Sequence, residues 1–301
     1  MSKKYLVTGA TGKTGKHTTR ILLERGHAVR ALVHNEDERA EALRQIGAEV
    51  VVGDLLDYDK VIRAADGTNG AYFCYPIRPH LIDTAAYLAD AARRAGLELI
   101  VDMSQISARD VARSHAARNH WISERVFDWS GVPTVHIRPT FFSEWLTFPW
   151  VRDTIVKEGA ITLPYGDGRH APISGEDQAR VIADLLENPS EHAGKTYPLF
   201  GPVELSQAEI AEKMSNVLGR EISYRPMTDA AYEAYLKSYG LDDFIIQHFL
   251  CIAEDYRNGV FAGADGIIGP LTGTPPMTVE QFVTENRAAF DVEGEKAKLS
   301  A

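Results

Sequence analysis

The chain of 301 residues is 45% hydrophobic and 25% charged, proportions typical of a folded globular protein and not of a disordered one. Lys and Arg number 32 against 42 Asp and Glu, a formal net charge of −10. This balance argues against nucleic acid or an anionic membrane as the main partner, because both attract positive charge. No apolar run approaches the ~18 residues of a membrane span. The two cysteines, Cys74 and Cys251, are far apart in sequence, so we expect no disulfide framework and a cytoplasmic location.

Short apolar runs alternate with helical patterns over the first half of the chain. Strands are predicted at 5–7, 28–33, 48–52, 70–74, 97–101 and 134–137. Helices are predicted between them at 19–25, 38–46, 58–65, 81–95 and 111–130. Alternation with nearly continuous apolar strands predicts a parallel sheet covered by helices on both faces. The fold class is therefore α/β, a doubly wound Rossmann-type dinucleotide-binding domain over residues 1–140.

The pattern changes after about residue 140, where Trp, Phe and Pro concentrate. Residues 141–301 are predicted to form a smaller mixed α/β lobe, packed on and interleaved with the first domain. Its helices are predicted at 176–186, 207–218, 229–239, 242–257 and 279–290, and its strands at 195–200 and 221–225. Residues 263–276, rich in Gly, Pro and Thr, are predicted to form a surface loop. The polar residues 293–301 are predicted to be frayed.

A glycine-rich segment follows the first strand and opens the first helix. It reads Thr8-Gly9-Ala10-Thr11-Gly12-Lys13-Thr14-Gly15, with glycines three residues apart. This spacing suits a tight turn, close approach of the backbone to a pyrophosphate and close helix–strand packing. The helix N-terminus then directs free N–H groups at the anion. The segment predicts a nucleotide site made by Gly9, Thr11, Gly12, Lys13, Thr14 and Gly15, the alternative being a merely structural turn. A Walker A motif is excluded, because Val7 stands where it needs a glycine.

The end of the second strand indicates which dinucleotide binds. NAD-selective folds usually place a carboxylate there to bond the ribose 2′-OH, whereas this chain has Leu32-Val33-His34-Asn35. Lys13 and His34 are instead expected to meet a 2′-phosphate, which favours NADP(H) over NAD(H). The alternative is that both are solvated surface residues, and for Arg39, which could join them, that alternative is favoured.

Three further residues extend the predicted cofactor site. Asp54 and Leu55 follow the third strand, where Asp54 would reach the adenine. A competing interpretation of Asp54 is a cap on the next helix. Tyr75, just past the fourth strand, is predicted to contact the cofactor and the substrate.

Several segments together resemble the NmrA-like branch of atypical short-chain dehydrogenases, to about residue 290. They are the glycine turn, Val29-Arg30-Ala31-Leu32-Val33, Gly53-Asp54-Leu55, Val132-Pro133 with Arg138-Pro139, and Glu176-Asp177-x-Ala179. The resemblance implies NADPH-dependent reduction of quinones, dyes or phenylpropanoids. It also allows a protein that binds the dinucleotide as a redox sensor without turning it over.

The chain differs from that family at the positions of the relatives' catalytic residues. Relatives with standard chemistry have Tyr-x-x-x-Lys on the helix after the fifth strand and a Glu four residues later. Glu124 matches this Glu, which leaves His120 at the Lys position and Ala116 at the Tyr position. The phenol that protonates a developing alkoxide is therefore absent. Ser104 stands at the position of the substrate-orienting Ser.

His120 and Ser104 are the candidate catalytic residues. His120 would bond the nicotinamide ribose or the substrate and titrate near neutrality. The alternative is that His120 pairs with Glu124 and only stabilises the helix. The chain contains no His-Glu-x-x-His or Cys-x-x-Cys motif, so we expect no metal.

Ligands of such sheets bind beyond the carboxyl ends of the strands. The residues there predict a substrate pocket for a flat, apolar or aromatic molecule, lined by Tyr75, Met103, Phe142 and Trp145. Arg78 would hold an anionic group or lie on the surface. For Phe141, Phe148 and Trp150, a role in the apolar core is favoured over the pocket.

These observations support two functions. The first is an NADPH-dependent oxidoreductase that transfers a hydride to a small aromatic or quinoid acceptor, which needs less proton donation than a ketone. The second is a non-catalytic NADP(H)-binding redox sensor. In either case a small molecule is the expected partner, and the sequence leaves the oligomeric state open.

Overall fold

The computed structural model describes residues 2–291, so the predicted frayed end at 293–301 lies outside the described part of the chain. These residues form two compact units. The first unit contains the chain up to Pro139 together with 175–199 and 270–273. The second contains Thr140–Ser174, Phe200–Gly269 and the described residues from Thr274 onward.

The strands and helices follow in chain order. The strands are β1 (Lys4–Val7), β2 (Ala28–Val33), β3 (Glu49–Val52), β4 (Gly70–Phe73), β5 (Leu99–Met103), β6 (Thr134–Pro139), β7 (Ala160–Leu163), β8 (Arg169–His170), β9 (Thr196–Leu199), β10 (Leu205–Ser206) and β11 (Ser223–Pro226). The α-helices are α1 (Gly15–Glu24), α2 (Glu38–Gln45), α3 (Tyr58–Ala65), α4 (Leu81–Ala95), α5 (His115–Ser130), α6 (Pro149–Glu158), α7 (Gly175–Glu187), α8 (Pro189–His192), α9 (Gln207–Leu218), α10 (Asp229–Ser238), α11 (Asp243–Arg257), α12 (Ile268–Thr272) and α13 (Val279–Glu285).

The first unit is built on a seven-stranded sheet in the order β3-β2-β1-β4-β5-β6-β9. Each neighbouring pair is parallel. The predicted doubly wound Rossmann-type fold is confirmed. The chain runs outward from β1 to β3 and then crosses to β4 on the other side of β1. That reversal is the topological switch point, where such sheets bind their ligands.

Burial explains why the central strands are almost purely apolar. Every residue of β4 and of β5 is buried. Helices α3 and α4 cover these strands. Val61 of α3 and Leu88 of α4 share one apolar cluster with Phe73 of β4 and Phe127 of α5. Burying each large side chain stabilises the fold by roughly 1.5–3 kcal/mol.

Four elements of the first unit differ from their prediction. The strand predicted at 97–101 lies at 99–103, because the Leu97 N–H bonds the Ala92 carbonyl at 3.0 Å and so still closes α4. Helix α5 begins at His115 and not at residue 111, because Ser114 caps it by accepting from the Ala117 N–H. Strand β9, predicted for the smaller lobe, instead pairs with β6 in the large sheet. Helix α7 likewise belongs to the first unit.

The second unit contains two small sheets and five longer helices within the described residues. Strands β7 and β11 pair in parallel and β8 and β10 antiparallel. Helix α6 and strand β7 were not predicted from the sequence. The sequence also predicted a loop at 263–276 where α12 stands, which begins because the Asp265 carboxylate accepts from the N–H groups of Ile267 and Ile268. The helix predicted at 279–290 ends at Glu285 and continues as a 3-10 turn, Arg287–Phe290. Among the helices described, none is long and apolar enough to cross a membrane.

One polar contact crosses the apolar sheet. Asp102 and His136 are register partners on β5 and β6, and their Oδ2 and Nδ1 atoms lie 2.8 Å apart. The Nε2 atom of His136 lies 3.1 Å from Asp128 Oδ1 on α5. Burial alone would lower the pKa of His136, but hydrogen bonds to Asp102 and Asp128 and the charges of Asp102 and Glu124 outweigh burial and raise this pKa above its ordinary value.

This raised pKa predicts a pH-dependent stability. The contribution of protonated His136 is fully present below its unfolded-state pKa of about 6.5 and is lost as the pH rises through the higher folded-state value. We expect the free energy of unfolding of the wild type to fall over that range by more than that of His136→Gln. Urea titrations of both proteins at several pH values measure the difference. Identical pH dependence in the two proteins would contradict the prediction.

Candidate functional site

The turn between β1 and α1 depends on its glycines. Gly9 has a φ of +58°, in the left-handed region that favours glycine. The Gly12 N–H donates to the Gly9 carbonyl at 2.9 Å and closes the turn. A Cβ atom at Gly15 would overlap the same carbonyl. The turn therefore brings the start of α1 unusually close to the end of β1.

The first turn of α1 suits an anion. Its cap residue Thr14 makes no side-chain capping bond, and the turn contains no acidic residue but includes Lys16. The free N–H groups and the positive end of the helix dipole are the elements that bind phosphate in dinucleotide folds. The residues present therefore fit the pyrophosphate of a dinucleotide.

A cavity of about 210 Å³ lies beside this turn. It brings together most of the residues predicted to bind the cofactor. Its lining is Thr8, Gly9, Thr11, Leu32, Val33, His34, Gly53, Asp54, Leu55, Leu56, Cys74, Tyr75, Pro76 and Arg78. Cys74 also lines the cavity but was not predicted to belong to this site, although its position directly after β4 could have indicated it.

The structure excludes one of the two interpretations of Asp54. Asp57 caps α3 by accepting from the Lys60 N–H, so the capping interpretation of Asp54 is wrong. Asp54 Oδ1 accepts from the Leu56 N–H at 2.9 Å, and its Oδ2 lies 3.6 Å from Nδ1 of His34. Asp54 is thus held at the cavity wall with His34, whose side chain is 65% exposed.

A second groove, basic and of about 630 Å³, begins at the glycine turn and runs between α1 and α2. Its lining is Thr11, Gly12, Lys13, Lys16, His17, Arg20, Arg39, Ala42, Leu43 and Ile46. Arg39 pairs with Asp37 at 2.6 Å, whereas no carboxylate within residues 2–291 pairs with Lys13. Burial, then the charge of Lys16, lowers the pKa of His17. Lys13 and Lys16 are therefore the two lysines of this groove that have no carboxylate partner among the described residues.

Ser104, just past β5, is held by a buried carboxylate. Its Oγ donates to Glu124 Oε1 at 2.6 Å. Arg138 donates to both oxygens of the same carboxylate, at 2.8 and 2.6 Å. His120 makes no hydrogen bond or ion pair with Glu124 among the described residues, so the alternative in which they pair is wrong.

His120 differs from its predicted chemistry. It is 7% exposed, and its Nδ1 atom has no hydrogen-bond partner in the described part of the chain. Burial lowers its pKa to about 4 against an opposing effect of Glu124. His120 is therefore neutral at pH 7, and the expectation that it titrates near neutrality is wrong.

The four residues predicted to line the substrate pocket belong to different units. Tyr75 and Met103 lie in the first unit, past β4 and at the end of β5. Phe142 and Trp145 lie in the second unit, beside a cavity of about 30 Å³. That volume holds a water molecule but not an aromatic ring.

The other aromatic residues of this segment pack against one another. Phe141 contacts Trp145, with ring centroids 4.8 Å apart, and Tyr165, at 5.5 Å. Phe148 and Trp150 are 5.2 Å apart. Phe141 lies in the apolar core of the second unit, whereas Phe148 and Trp150 pack against other aromatic rings but are only partly buried. No group of three or more His, Cys, Asp or Glu within residues 2–291 is arranged to hold a metal ion.

The sequence profile of the NmrA-like family matches residues 1–258. The chain belongs to the NmrA-like family. It is 28% identical over 291 residues to the NAD(P)H azoreductase of Xenophilus azovorans, covering 95% of this chain and 98% of that protein. It is 30% identical, with the same coverage, to a (4-alkanoyl-5-oxo-2,5-dihydrofuran-3-yl)methyl phosphate reductase of Streptomyces griseus.

Solved structures share the fold. The NADPH complex of a quinone oxidoreductase, QOR2 of Escherichia coli, superposes with a TM-score of 0.82 at 23% identity and covers 94% of this chain and 99% of its own. The negative transcriptional regulator NmrA in complex with NAD superposes at 0.81 with 17% identity, covering 99% and 98%. At these identities the likeness establishes architecture alone.

The turn geometry predicts the effect of one added methyl group. A Cβ atom at Gly12 would stand 3.0 Å from the Gly9 carbonyl oxygen and would obstruct the approach of a pyrophosphate. We expect Gly12→Ala to weaken dinucleotide binding by about tenfold or more, which corresponds to about 1.4 kcal/mol. Intrinsic-fluorescence titration measures the affinity, and circular dichroism checks the fold. Gly266→Ala is the control, because nothing lies within 4 Å of its added Cβ. Unchanged affinity in folded Gly12→Ala would mean that the turn is only structural.

The Glu124 network predicts a large loss of stability. Arg138→Met leaves a buried carboxylate without its main cation, which typically costs about 3–5 kcal/mol. Arg125→Met is the control, because Arg125 reaches Glu124 only at 3.4 Å. We expect the control to cost less than about 1 kcal/mol. Urea unfolding compares the two, and equal losses would contradict the assignment.

Proposed function

We propose that the chain is an NADPH-dependent oxidoreductase that transfers a hydride to a small aromatic or quinoid acceptor. The observation that carries the proposal is the glycine turn that joins β1 to the uncapped start of α1, with a cavity alongside it. Relatives named NAD(P)H azoreductase and quinone oxidoreductase 2, each similar over more than nine-tenths of the chain, support the reaction class.

The cofactor supplies the hydride, and the residues of the chain bind and orient it. The turn and the first N–H groups of α1 hold the pyrophosphate. Leu55 and Asp54 border the adenosine end of the cavity, and Lys13 and His34 meet the 2′-phosphate. The absence of a carboxylate at the end of β2 favours NADP(H), because a carboxylate there would repel that phosphate.

The proposed reaction does not need a side chain that donates a proton. The tyrosine of relatives is replaced by buried Ala116, and His120, with its pKa near 4, carries no proton to give at neutral pH. Quinoid and azo acceptors are reduced without a strong acid, and water completes the protonation. Tyr75 and Met103, both in the first unit, remain our candidate substrate contacts.

The second candidate function is a dinucleotide sensor without catalysis. The missing Tyr-x-x-x-Lys favours it, since a sensor needs no proton donor. The structural likeness to the regulator NmrA does not favour it, because at 17% identity that likeness concerns the fold. The names of the reductases, which are more similar in sequence, favour catalysis.

Cofactor selectivity is the first test. We expect NADPH to bind at least about tenfold more tightly than NADH, because a charge-assisted contact to phosphate contributes about 1.5–3 kcal/mol. Lys13→Ala should narrow that ratio. The control Lys195→Ala removes the same charge from an exposed site far along the chain and should leave the ratio unchanged. Equal affinity of the wild type for both dinucleotides would overturn the assignment of NADP(H).

Turnover is the second test. We expect the wild type to oxidise NADPH with quinones or azo dyes faster than a protein-free blank. His120→Gln should retain the same pH dependence of kcat between about pH 6 and pH 8, since a group with a pKa near 4 does not titrate there. A fall in activity above neutrality that vanishes in the variant would restore His120 as the proton donor. NADPH binding without oxidation by any acceptor would favour the sensor.

A further inference from the structure

The end of β5 presents two polar groups whose hydrogen bonding is already partly committed. Ser104 and Gln105 follow Met103, the last residue of the strand. Ser104 is buried and bonded to Glu124, and Gln105 is bonded to Ser107. What each group still offers a ligand follows from the bonds it already makes.

Ser104 can only accept a further hydrogen bond. A hydroxyl has one hydrogen, and a carboxylate has none to give. In the 2.6 Å bond between them, the hydrogen of Ser104 therefore points at Glu124. The fork of Arg138 holds that carboxylate on both oxygens, and the Arg138 guanidinium lies 5.5 Å from the centre of the Trp121 ring. Glu124 is thus rigidly placed, and the oxygen of Ser104 presents lone pairs alone.

Gln105 offers the opposite polarity. Its Oε1 accepts from the Ser107 hydroxyl at 3.0 Å. Its Nε2 atom is buried and has no hydrogen-bond partner among the described residues. A buried donor left without a partner costs about 1–3 kcal/mol, which a ligand oxygen would recover.

These two residues lie at the ligand-binding edge of the sheet. Strands β4 and β5 are parallel neighbours, with Phe73 opposite Asp102. Cys74 and Tyr75, which continue β4, line the cofactor cavity. The residues that continue β5 are therefore next along the same edge, on the side away from the β2 end that receives the adenosine.

We propose that Ser104 and Gln105 bind the carboxamide of the cofactor's nicotinamide ring, Ser104 by accepting from its NH₂ group and Gln105 by donating to its carbonyl oxygen. A primary carboxamide carries one donor group and one acceptor, which matches this pair. A quinone oxygen or an azo nitrogen has no hydrogen to give, so neither satisfies Ser104. In this role Glu124 is a positioning residue, since it acts only through Ser104.

This inference rests on NADP(H) binding, as the proposed function does, but not on turnover. Its test is therefore a binding measurement with two cofactors and no acceptor. The probe is the 3-acetylpyridine analogue of NADPH, in which a methyl group replaces the NH₂ and the carbonyl remains. Intrinsic-fluorescence titration gives the dissociation constants of both cofactors for each variant.

The two variants should respond differently. Ser104→Ala should weaken NADPH by about 3- to 10-fold, the value of one ordinary hydrogen bond, and leave the analogue within about twofold. Gln105→Ala should weaken both cofactors by a similar factor, because both retain the carbonyl. A residue that only stabilised the fold would affect both cofactors alike at both positions.

Ser123→Ala is the matched control, because it removes a buried serine hydroxyl from α5 that has no hydrogen-bond partner in the described structure. It should change neither constant. Equal weakening of both cofactors by Ser104→Ala, or no weakening of NADPH, would overturn the role of Ser104. An unchanged affinity in Gln105→Ala would overturn the role of Gln105. Wild-type protein that binds neither cofactor would instead overturn the proposed function itself, and bound NADPH with no dye reduced would overturn catalysis alone.

Discussion

The Gly9 carbonyl oxygen lies so close to the Cα atom of Gly15 that no side chain fits between them. This contact sets how near α1 approaches β1, and it aims the unpaired N–H groups of the helix at the switch point of the sheet. The cavity beside the turn, the basic groove along α1 and the placement of Lys13 all follow from it. A bulkier residue at Gly15 would move the helix and with it every phosphate contact.

A second constraint holds the other end of the site. Glu124, on α5, is tied to β6 by Arg138 and to the end of β5 by Ser104. The buried Glu124 carboxylate therefore positions Ser104 and Arg138. Ala116 and a neutral His120 stand on this helix where a tyrosine and a lysine would be expected. Under the proposed function, the residues of the chain orient the cofactor and proton transfer is left to water.

The glycine turn and the parallel sheet were predictable because each depends on local rules. Glycine spacing, apolar runs and strand ends can each be recognised within about ten to fifteen consecutive residues. Other features depend on distant partners. The placement of β9 beside β6 joins residues about sixty positions apart. The short helix α12 was missed for a different reason: the Asp265 carboxylate that bonds the N–H groups at its start is local, but it lies in a segment rich in Gly and Pro.

By itself, therefore, the sequence determined the fold class, the glycine turn and the absence of the usual tyrosine, and it predicts a preference for NADP(H). Those properties follow from residue type and spacing. Only the tertiary structure decided what the polar residues do. Burial lowers the pKa of His120. The Ser104 hydroxyl donates its hydrogen to Glu124. Asp57, and not Asp54, caps α3. Burial and hydrogen-bond partners set protonation and polarity, and both come from residues that are far apart in the chain or that compete for the same local position.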